Sequence, residues 1–290
     1  MSETATVTVI IPTLAEAARK DSLLRAIDCI LTQEGVKALP LVVINGNRFD
    51  AQLRADLESR VDIVTCYREE GSLPKAQAFG VSRVQTPFFA FLDDDDLYTP
   101  DALAHRLEEI EKHNADLVVT NIEYDTAGVR SPLAEDLTSY ARDPLASVFE
   151  LAWLCSINGL FRAESIGAEH FQDNFEWMEW TSLAIRLAET KRVAFSNKVT
   201  AIYFDMPDSA SKKVEHLLAM SRLMASLDKS RFPRRTQRLI DRKYVGGLHA
   251  ASKVFLARGE WGKAWKCHLA CFAKPAGWRY LSYTRKLFSP

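Results

Sequence analysis

The first 122 residues alternate between short apolar segments and segments whose apolar side chains recur at helical spacing, and this alternation constrains the fold most. Segments rich in β-branched and aromatic residues, typical of buried strands, lie at 7–11, 41–44, 61–66, 88–92 and 116–122. Helices are predicted between them, at 16–33, 51–59, 73–84 and from 100 to about 113. Repeated strand–helix–strand units build a mainly parallel sheet with helices on both faces, so we predict an α/β fold.

The second half of the chain follows a looser pattern. Residues 125–143 are predicted to form a surface excursion, and the next elements are a strand at 157–161, a helix at 177–189 and one or two short strands within 192–204. From residue 214 onward the chain is predicted to be helical. We therefore predict an α/β domain over 1–207 and a helical C-terminal region over 208–290.

Composition and charge exclude several classes of protein. Hydrophobic residues make up 47% of the chain, enough apolar surface to offset the entropy of folding, so a disordered chain is excluded. A formal net charge of -1 argues against a dedicated nucleic-acid binder. The five cysteines include no CxxC pair, which favours reduced thiols and a cytoplasmic location. We expect neither a signal peptide nor a membrane span, because no apolar run is long enough.

Four consecutive aspartates, Asp93–Asp96, follow the apolar segment 88–92. Ligands of open α/β sheets bind outside the carboxyl ends of the strands. Adjacent carboxylates repel one another unless a cation neutralises them, and hard oxygen ligands suit Mg²⁺ or Mn²⁺. The run therefore predicts a site for a divalent metal ion and a diphosphate, and the alternative is a solvated acidic loop that caps the next helix. Response-regulator receivers also collect carboxylates at strand ends, but there the acidic pair follows the first strand.

Several segments, taken in order, resemble the family 2 glycosyltransferases of the GT-A fold. The opening Val9-Ile10-Ile11-Pro12-Thr13 is similar to the strand that begins this family, and Phe91-Leu92-Asp93-Asp94-Asp95-Asp96 followed by Pro100 is similar to its DXD signature. Weaker similarities lie at 71–81, 160–162 and 179–187. The resemblance covers residues 5–212 and implies a Rossmann-like GT-A domain, which here carries a C-terminal helical extension.

The resemblance also implies a reaction and a donor site. Such enzymes move a sugar from a nucleotide diphosphate donor to an acceptor hydroxyl and invert the anomeric carbon. Contacts to the nucleotide sugar would come from Pro12, Thr13, Glu16, Asn45, Lys75, Asp93 and Asp94. Asp95 and Asp93 would bind the cofactor, Mn²⁺ or Mg²⁺. Relatives commonly carry Asp at the position of Asn45, but Asn can still donate and accept hydrogen bonds, so a UDP-sugar is the favoured donor.

The general base is expected near residue 179. Relatives have an E-D pair there, whereas Glu179 is followed by Trp180, so Glu179 is the first candidate. Glu176 and Asp173 are the alternatives, and Glu176 precedes Glu179 by three residues, the spacing at which two side chains share a helix face. Aromatic neighbours would raise the pKa of Glu179, which suits a base that works near neutral pH.

A second departure from the family lies near 203–211, where relatives place a histidine that completes the metal shell. Met206 stands at that position, and methionine is a poor ligand for Mg²⁺ or Mn²⁺, so Asp205 is the candidate substitute. These departures keep open a non-catalytic GT-A-like module that binds a nucleotide or a partner. A nucleotidyltransferase is a third alternative, but it would need a glycine-rich, basic phosphate loop after the first strand, and residues 14–17 do not form one.

Basic and aromatic residues are interleaved over 253–288. This pattern predicts peripheral contact with the inner face of a membrane or with a partner, and the alternative is a helical cap packed on the catalytic domain. A glycan or lipid-linked acceptor, as in surface polysaccharide or glycolipid synthesis, would agree with a membrane contact. Nucleic acid is not an expected partner.

Overall fold

The computed structural model describes residues 6–172, 175–205 and 213–288. Within them nine strands form one sheet: β1 Val7–Thr13, β2 Ala38–Asn45, β3 Val64–Arg68, β4 Phe88–Phe91, β5 Leu97–Tyr98, β6 Leu117–Thr126, β7 Val129–Pro132, β8 Gly159–Arg162 and β9 Val193–Phe204. The helices that precede the C-terminal region are α1 Lys20–Leu31, α2 Ala51–Ser59, α3 Leu73–Val81, α4 Ala102–Lys112, α5 Pro144–Val148, α6 Glu169–Gln172 and α7 Glu179–Thr190. The helices of the C-terminal region are α8 Val214–Ser226, α9 Arg234–Ala257, α10 Trp261–Cys271 and α11 Thr284–Phe288.

The predicted alternation of strands and helices is confirmed, with shifted ends. The helix predicted from 16 starts as a 3-10 turn at Ala17–Arg19 and becomes α-helical at Lys20. The strand predicted from 61 begins only at Val64, because pairing with β2 starts there, opposite Leu41. The short strands predicted within 192–204 are one continuous strand, β9, because nearly its whole length pairs with β6.

The sheet is mixed, in the order β3-β2-β1-β4-β8-β6-β9-β5, with β7 paired to β6. Strands β1 to β4 are mutually parallel where they pair, as are β6 and β9. Strand β8 lies between β4 and β6 and is antiparallel to both. The α/β fold with a C-terminal helical region is therefore confirmed, and β8 adds antiparallel pairs to a sheet that the sequence predicted to be mainly parallel.

Alternating strand residues enter two hydrophobic clusters, one on each face of the sheet. Ile10, Val43 and Phe91 belong to the cluster on one face, and Val9 and Val42 to the other. All seven residues of β1 are buried, as expected for a strand covered on both faces. This burial fixes the carboxyl ends of β1, β2 and β4, whose neighbouring loops carry the predicted site.

Helix α3 approaches the sheet closely at Gly80. A Cβ on Gly80 would lie 2.5 Å from Ile10 Cγ2, so only glycine allows this separation without a shift of the helix or of the Ile10 side chain. The contact holds the last turn of α3 against the middle of β1.

The C-terminal helices share part of their core with the sheet. Leu223 of α8, Ile240 of α9 and Phe232, which precedes α9, belong to the same hydrophobic cluster as Phe91. The division at 207/208 stays a prediction, because residues 206–212 lie outside the described part of the chain. No helix in the described ranges is both long and apolar enough to cross a membrane.

Candidate donor site at the carboxyl ends of the strands

Three parallel neighbours, β1, β2 and β4, end at one edge of the sheet, and each delivers a polar residue there. Strand β1 ends in Thr13, β2 ends in Asn45, and β4 is followed after one residue by Asp93. The edge is where ligands of open α/β sheets bind. The predicted donor residues of the first two strands and the acidic run are therefore brought to a common place.

Three of the four aspartates accept a hydrogen bond from a different distant segment. Ser156 Oγ donates to Asp93 Oδ2 at 2.6 Å, and Thr13 Oγ1 donates to Asp94 Oδ2 at 2.5 Å. The backbone N–H of Phe204 donates to Asp96 Oδ1 at 2.9 Å. Asp95 is more exposed than its neighbours Asp94 and Asp96. Its carboxylate is therefore more accessible than those of Asp94 and Asp96.

Arg19 supplies the positive charge of this cluster. Its guanidinium forms a hydrogen bond and ion pair with Asp94 Oδ1, and its Nη2 lies 2.9 Å from Asp95 Oδ2. Burial disfavours the charged guanidinium, but the hydrogen bond and the charge of Asp94 outweigh burial and raise the pKa of Arg19. Arg19 ends the 3-10 turn that the sequence predicted as helix, and this turn carries it to the carboxylates.

The carboxylates are crowded enough to resist ionisation. Burial raises the pKa of Asp93 to about 7, with a further rise from the charges of Asp95 and Asp94 and an opposing effect of Ser156. Burial and the charge of Asp93 raise the pKa of Asp96 to about 9. Burial also raises the pKa of Asp94, against the stabilising effect of Arg19. One cation does not neutralise the cluster, so a second positive charge would be favoured there.

The donor set is chemically suited to a divalent ion. Carboxylate oxygens are the ligands that Mg²⁺ and Mn²⁺ prefer, and Asp96 Oδ2 is buried without a hydrogen-bond partner among the described residues. Across 6–172, 175–205 and 213–288, however, no group of three or more His, Cys, Asp or Glu side chains is arranged to hold a metal ion. The guanidinium of Arg19, and not a further carboxylate, lies beside Asp94 and Asp95. A metal ion at Asp95 would therefore share this carboxylate with the guanidinium.

The other predicted nucleotide contacts have partners within the protein. Asn45 is buried, and its Oδ1 accepts a hydrogen bond from the backbone N–H of Ser72 at 3.0 Å, which joins the end of β2 to the start of α3. Glu16 Oε1 lies 3.2 Å from Arg48 Nε. Pro12 is buried within β1, opposite Val43.

Lys75 lies on the exposed side of α3. Its ammonium forms an ion pair with Glu70, so it is not a free cation at the carboxylates. It also lines an open cavity of about 310 Å³, together with Arg68, Phe79 and Phe171. The prediction that Lys75 meets the donor phosphates stays a prediction.

Glu179 is the first residue of α7, is half-buried, and lies between Trp177 and Trp180 in the chain. The backbone N–H of Trp177 donates to Glu179 Oε1 at 2.8 Å. Trp180 packs edge-on against Phe91 of β4, with ring centroids 5.1 Å apart, so the start of α7 lies against the strand that leads to Asp93. Burial raises the pKa of Glu179, in the direction expected from its aromatic neighbours.

The alternatives for the base differ in position. Glu176 is exposed and precedes α7, so the expectation that Glu176 and Glu179 share a helix face is wrong. The backbone between them is not helical, because Trp177 has a left-handed φ of 69°. Asp173 and Met206 lie outside the described residues. Asp205 directly follows β9. Its backbone N–H donates to the carbonyl oxygen of Asp125 at 3.0 Å, and its Oδ2 lies 3.5 Å from Thr126 Oγ1.

Sequence reasoning missed Arg19 and Ser156. Both contact the acidic run from segments that are 75 and 63 residues distant in the chain. Neither belongs to a motif, and Arg19 falls within a segment whose apolar spacing predicted only a surface helix. The excess of carboxylates over nearby cations was the one available signal that a basic partner must come from elsewhere.

Known proteins share sequence with part of the chain. A family model described as Glycosyl transferase family 2 matches residues 8–144, which include most of β1 and the acidic run. The chain is 30% identical over 95 residues to an uncharacterized glycosyltransferase, RT0329, of Rickettsia typhi, an overlap that covers 32% of this chain and 30% of the relative. It is 30% identical over 149 residues to the succinoglycan biosynthesis protein ExoO of Rhizobium meliloti, which covers 50% of this chain and 41% of the relative. These overlaps span less than half the length of either curated relative.

Solved structures share the fold. TarS residues 1–349 of S. aureus, in complex with UDP-GlcNAc, superpose with a TM-score of 0.58 at 13% identity, covering 84% of this chain and 72% of TarS 1–349. The complex of the same TarS fragment with UDP gives a TM-score of 0.55 at 14% identity over 84% of this chain and 71% of the fragment. At this identity the likeness concerns the fold alone.

Proposed function

We propose that the chain transfers a sugar from a nucleotide diphosphate donor to an acceptor hydroxyl, because residues 8–144 match the model described as Glycosyl transferase family 2. A UDP-sugar is the favoured donor, and the reaction inverts the anomeric carbon. TarS, whose structures contain UDP and UDP-GlcNAc, supports the choice of a uridine nucleotide.

The observation that carries the proposal is the acidic run at the carboxyl end of β4, beside Thr13 of β1. Asp93 is half-buried and Asp94 is buried at this edge of the sheet, where both would contact the donor. Thr13 fixes the Asp94 carboxylate by a hydrogen bond. A fixed carboxylate can accept hydrogen bonds from the donor's ribose hydroxyls without first being ordered, and this lowers the entropic cost of binding.

Asp93 and Asp95 would hold a divalent cofactor, Mn²⁺ or Mg²⁺, and Asp205 is the further candidate ligand. When bound, such an ion supplies positive charge for the leaving diphosphate. Arg19 contributes a fixed positive charge to the same carboxylates. Its place suits a role in orienting Asp94 and Asp95 toward the donor.

Glu179 is the proposed base, which accepts the proton of the attacking hydroxyl. The N–H of Trp177 holds one of its oxygens, and this bond restricts the rotation of the carboxylate. A raised pKa brings the carboxyl closer to neutral pH, where proton transfer from a hydroxyl is better matched. Glu176 and Asp173 remain the alternative bases.

The proposed acceptor is a glycan or a lipid-linked glycan. The relative named for succinoglycan biosynthesis supports a role in surface polysaccharide synthesis. A cytoplasmic protein that acts on a lipid-linked acceptor would work at the inner face of a membrane, and residues 253–288 are the proposed contact.

A non-catalytic nucleotide-binding module is the second candidate. The specific observation that favours it is that Arg19 already pairs with Asp94 and Asp95, while Trp180 stands where relatives have an acid. Such a module would bind a nucleotide but would not turn over a donor.

Calorimetric titration of UDP into the protein, with Mn²⁺ and again with EDTA, tests the donor site. We expect binding that Mn²⁺ strengthens, and Asp95→Asn should abolish the metal-dependent part. Asp101→Asn is the matched control, because Asp101 is an exposed acid that pairs with Lys198. Equal UDP affinity in the Asp95 and Asp101 variants would remove Asp95 from the site.

Turnover separates the two candidate functions. Release of sugar from UDP-sugars by the wild type, lost in Glu179→Gln, supports an enzyme. Binding of UDP without release of sugar from any donor supports the module. Absence of UDP binding under either condition contradicts the uridine donor and directs the titration to GDP and dTDP.

A further inference from the structure

The C-terminal helices expose a group of large apolar side chains. Leu269, Trp278, Leu281 and Phe288 are 58%, 60%, 54% and 74% exposed. They are four of the nine large hydrophobic residues that are exposed in the described part of the chain, yet they lie within a segment of twenty residues. Such a concentration differs from single exposed residues, which are normal on any surface.

A row of aromatic rings connects Trp278 with Phe288. The ring of Phe288 lies 4.9 Å from that of Trp265, which is 6.1 Å from His268. His268 is 5.0 Å from Phe272, and Phe272 is 5.3 Å from Trp278. The exposed rings are therefore the two ends of one continuous aromatic row. We call the surface formed by residues 265–288 the C-terminal strip.

The strip is held firmly on its inner side. Leu287 is buried, and His268 Nε2 lies 2.7 Å from Thr284 Oγ1. Gly277 packs so closely that a Cβ there would lie 1.9 Å from the carbonyl oxygen of Cys271. The exposed side chains thus project from a packed framework, and their exposure is a property of the folded chain.

The charge of the segment is strongly asymmetric. Residues 261–288 contain six Lys and Arg residues and no Asp or Glu, although the whole chain carries a net charge of only -1. Lys266, Arg279, Arg285 and Lys286 are exposed, and no acid of the described ranges forms an ion pair with them. The strip therefore combines apolar side chains with uncompensated positive charge.

We propose that the C-terminal strip docks on the headgroup region of an anionic phospholipid bilayer. Tryptophan and phenylalanine favour the boundary between headgroups and acyl chains, and Lys and Arg are attracted to anionic lipid. Leu269 and Leu281 carry no charge that could bind a nucleic-acid phosphate and no ring that could stack on a base. Their exposure therefore favours a bilayer over nucleic acid. This docking deepens the membrane contact proposed above for residues 253–288, rests on that proposal, and would bring the protein to lipid-linked molecules.

Co-sedimentation with vesicles tests the proposal with the intact chain. One set of vesicles contains phosphatidylcholine alone, and the other contains about 30 mol% phosphatidylglycerol, enough to give a negative surface potential. We expect binding to the anionic vesicles, weak binding to the neutral ones, and a decrease as salt rises from about 0.1 to 1 M, because the Debye length then shortens to roughly 3 Å.

A pair of matched double variants localises the contact. Trp278→Ser with Arg279→Gln removes one exposed ring and one charge from the strip. Val129→Ser with Arg130→Gln removes an exposed apolar side chain and a charge from the β6–β7 hairpin, where Val129 is 72% exposed. The first should lower the partition coefficient at least about fivefold, the loss for one basic residue near an anionic surface. The second should leave it unchanged.

Three results would overturn the proposal: no binding to anionic vesicles by the folded protein, equal binding to both vesicle types, or equal losses in the two double variants. The first would leave the strip to a protein partner. Circular dichroism checks that both variants fold, and UDP titration of the same variants keeps the donor site separate. Normal UDP binding with lost vesicle binding, or the reverse, would show which proposal had failed.

Discussion

Replacing Arg19 by methionine tests the ion pairs that organise the acidic run. Arg19→Met keeps an unbranched apolar stem of similar length but removes the guanidinium that pairs with Asp94 and Asp95. The side chain of Asp94 is only 8% exposed, so its charge would lose its partner in a buried place. Asp95, at 26% exposure, would be partly compensated by water.

The size of the effect follows from burial. Breaking one side of a buried ion pair typically costs about 3–5 kcal/mol. Because the Arg19 side chain is 37% exposed, water screens the pair, and about 2 kcal/mol is a reasonable expectation after that discount. For a chain of this size, a loss of about 2 kcal/mol lowers the melting temperature by roughly 3 °C.

Thermal unfolding at neutral pH, followed by circular dichroism or calorimetry, measures this loss. Arg235→Met is the matched control, because Arg235 is 84% exposed and its pair with Glu150 is a surface contact worth less than about 1 kcal/mol. Arg19→Met combined with Asp94→Asn should recover most of the stability, since the unpaired buried charge is then gone. If Arg19→Met unfolds at the same temperature as the control, or if the added Asp94→Asn recovers nothing, the argument from charge compensation is wrong.

Three further outcomes are expected. Glu179→Gln should slow transfer by about 10²–10⁴-fold and leave donor binding unchanged. The wild-type rate should fall as pH falls through the raised pKa of Glu179, because a protonated carboxyl cannot accept the proton. Rates of both proteins measured against pH test this, and an unchanged rate in the variant would exclude Glu179 as the base. Burial lowers the pKa of His268 below its ordinary value of 6.5. The unfolded chain therefore binds a proton at His268 before the folded chain does, and stability is lost as pH falls below about 6.5. His268→Gln should make the melting temperature depend less on pH in this range, and identical slopes in the variant and the wild type would contradict this. Gly277→Ala should lower the free energy of unfolding by about 1–3 kcal/mol, because the new Cβ would meet the Cys271 carbonyl. Gly262→Ala in α10 places its Cβ in open space and should not destabilise the protein. Equal urea midpoints for the two variants would refute the close contact.

The helices and strands of the first half could be predicted because local patterns specify them. Strand β4 is a run of four buried residues that the sequence marks by aromatic content, and α2 spans the predicted 51–59. The antiparallel placement of β8 could not be predicted, because its position between β4 and β6 depends on pairing with residues far away in the chain. Periodicity also missed the 3-10 turn before α1, since the spacing of apolar residues does not report where regular hydrogen bonding begins.

The candidate site divides in the same way. The acidic run was visible as a motif, and the aromatic surroundings of Glu179 were visible in its immediate neighbours. The non-helical backbone before α7, with Trp177 in the left-handed region, separates Glu176 from Glu179 in a manner that residue spacing could not indicate.

The sequence by itself determined most of the strands and helices of the first 122 residues, the place of Asp93–Asp96 after a buried strand, and the absence of acids from 261–288, because each is a property of neighbouring residues. Only the tertiary structure decided that Arg19 meets Asp94 and that the ring of Trp278 stays in solvent while Leu287 is buried. Ion pairing and burial depend on which distant segments come together. That choice is made by the packing of the whole chain, and no single stretch of residues contains it.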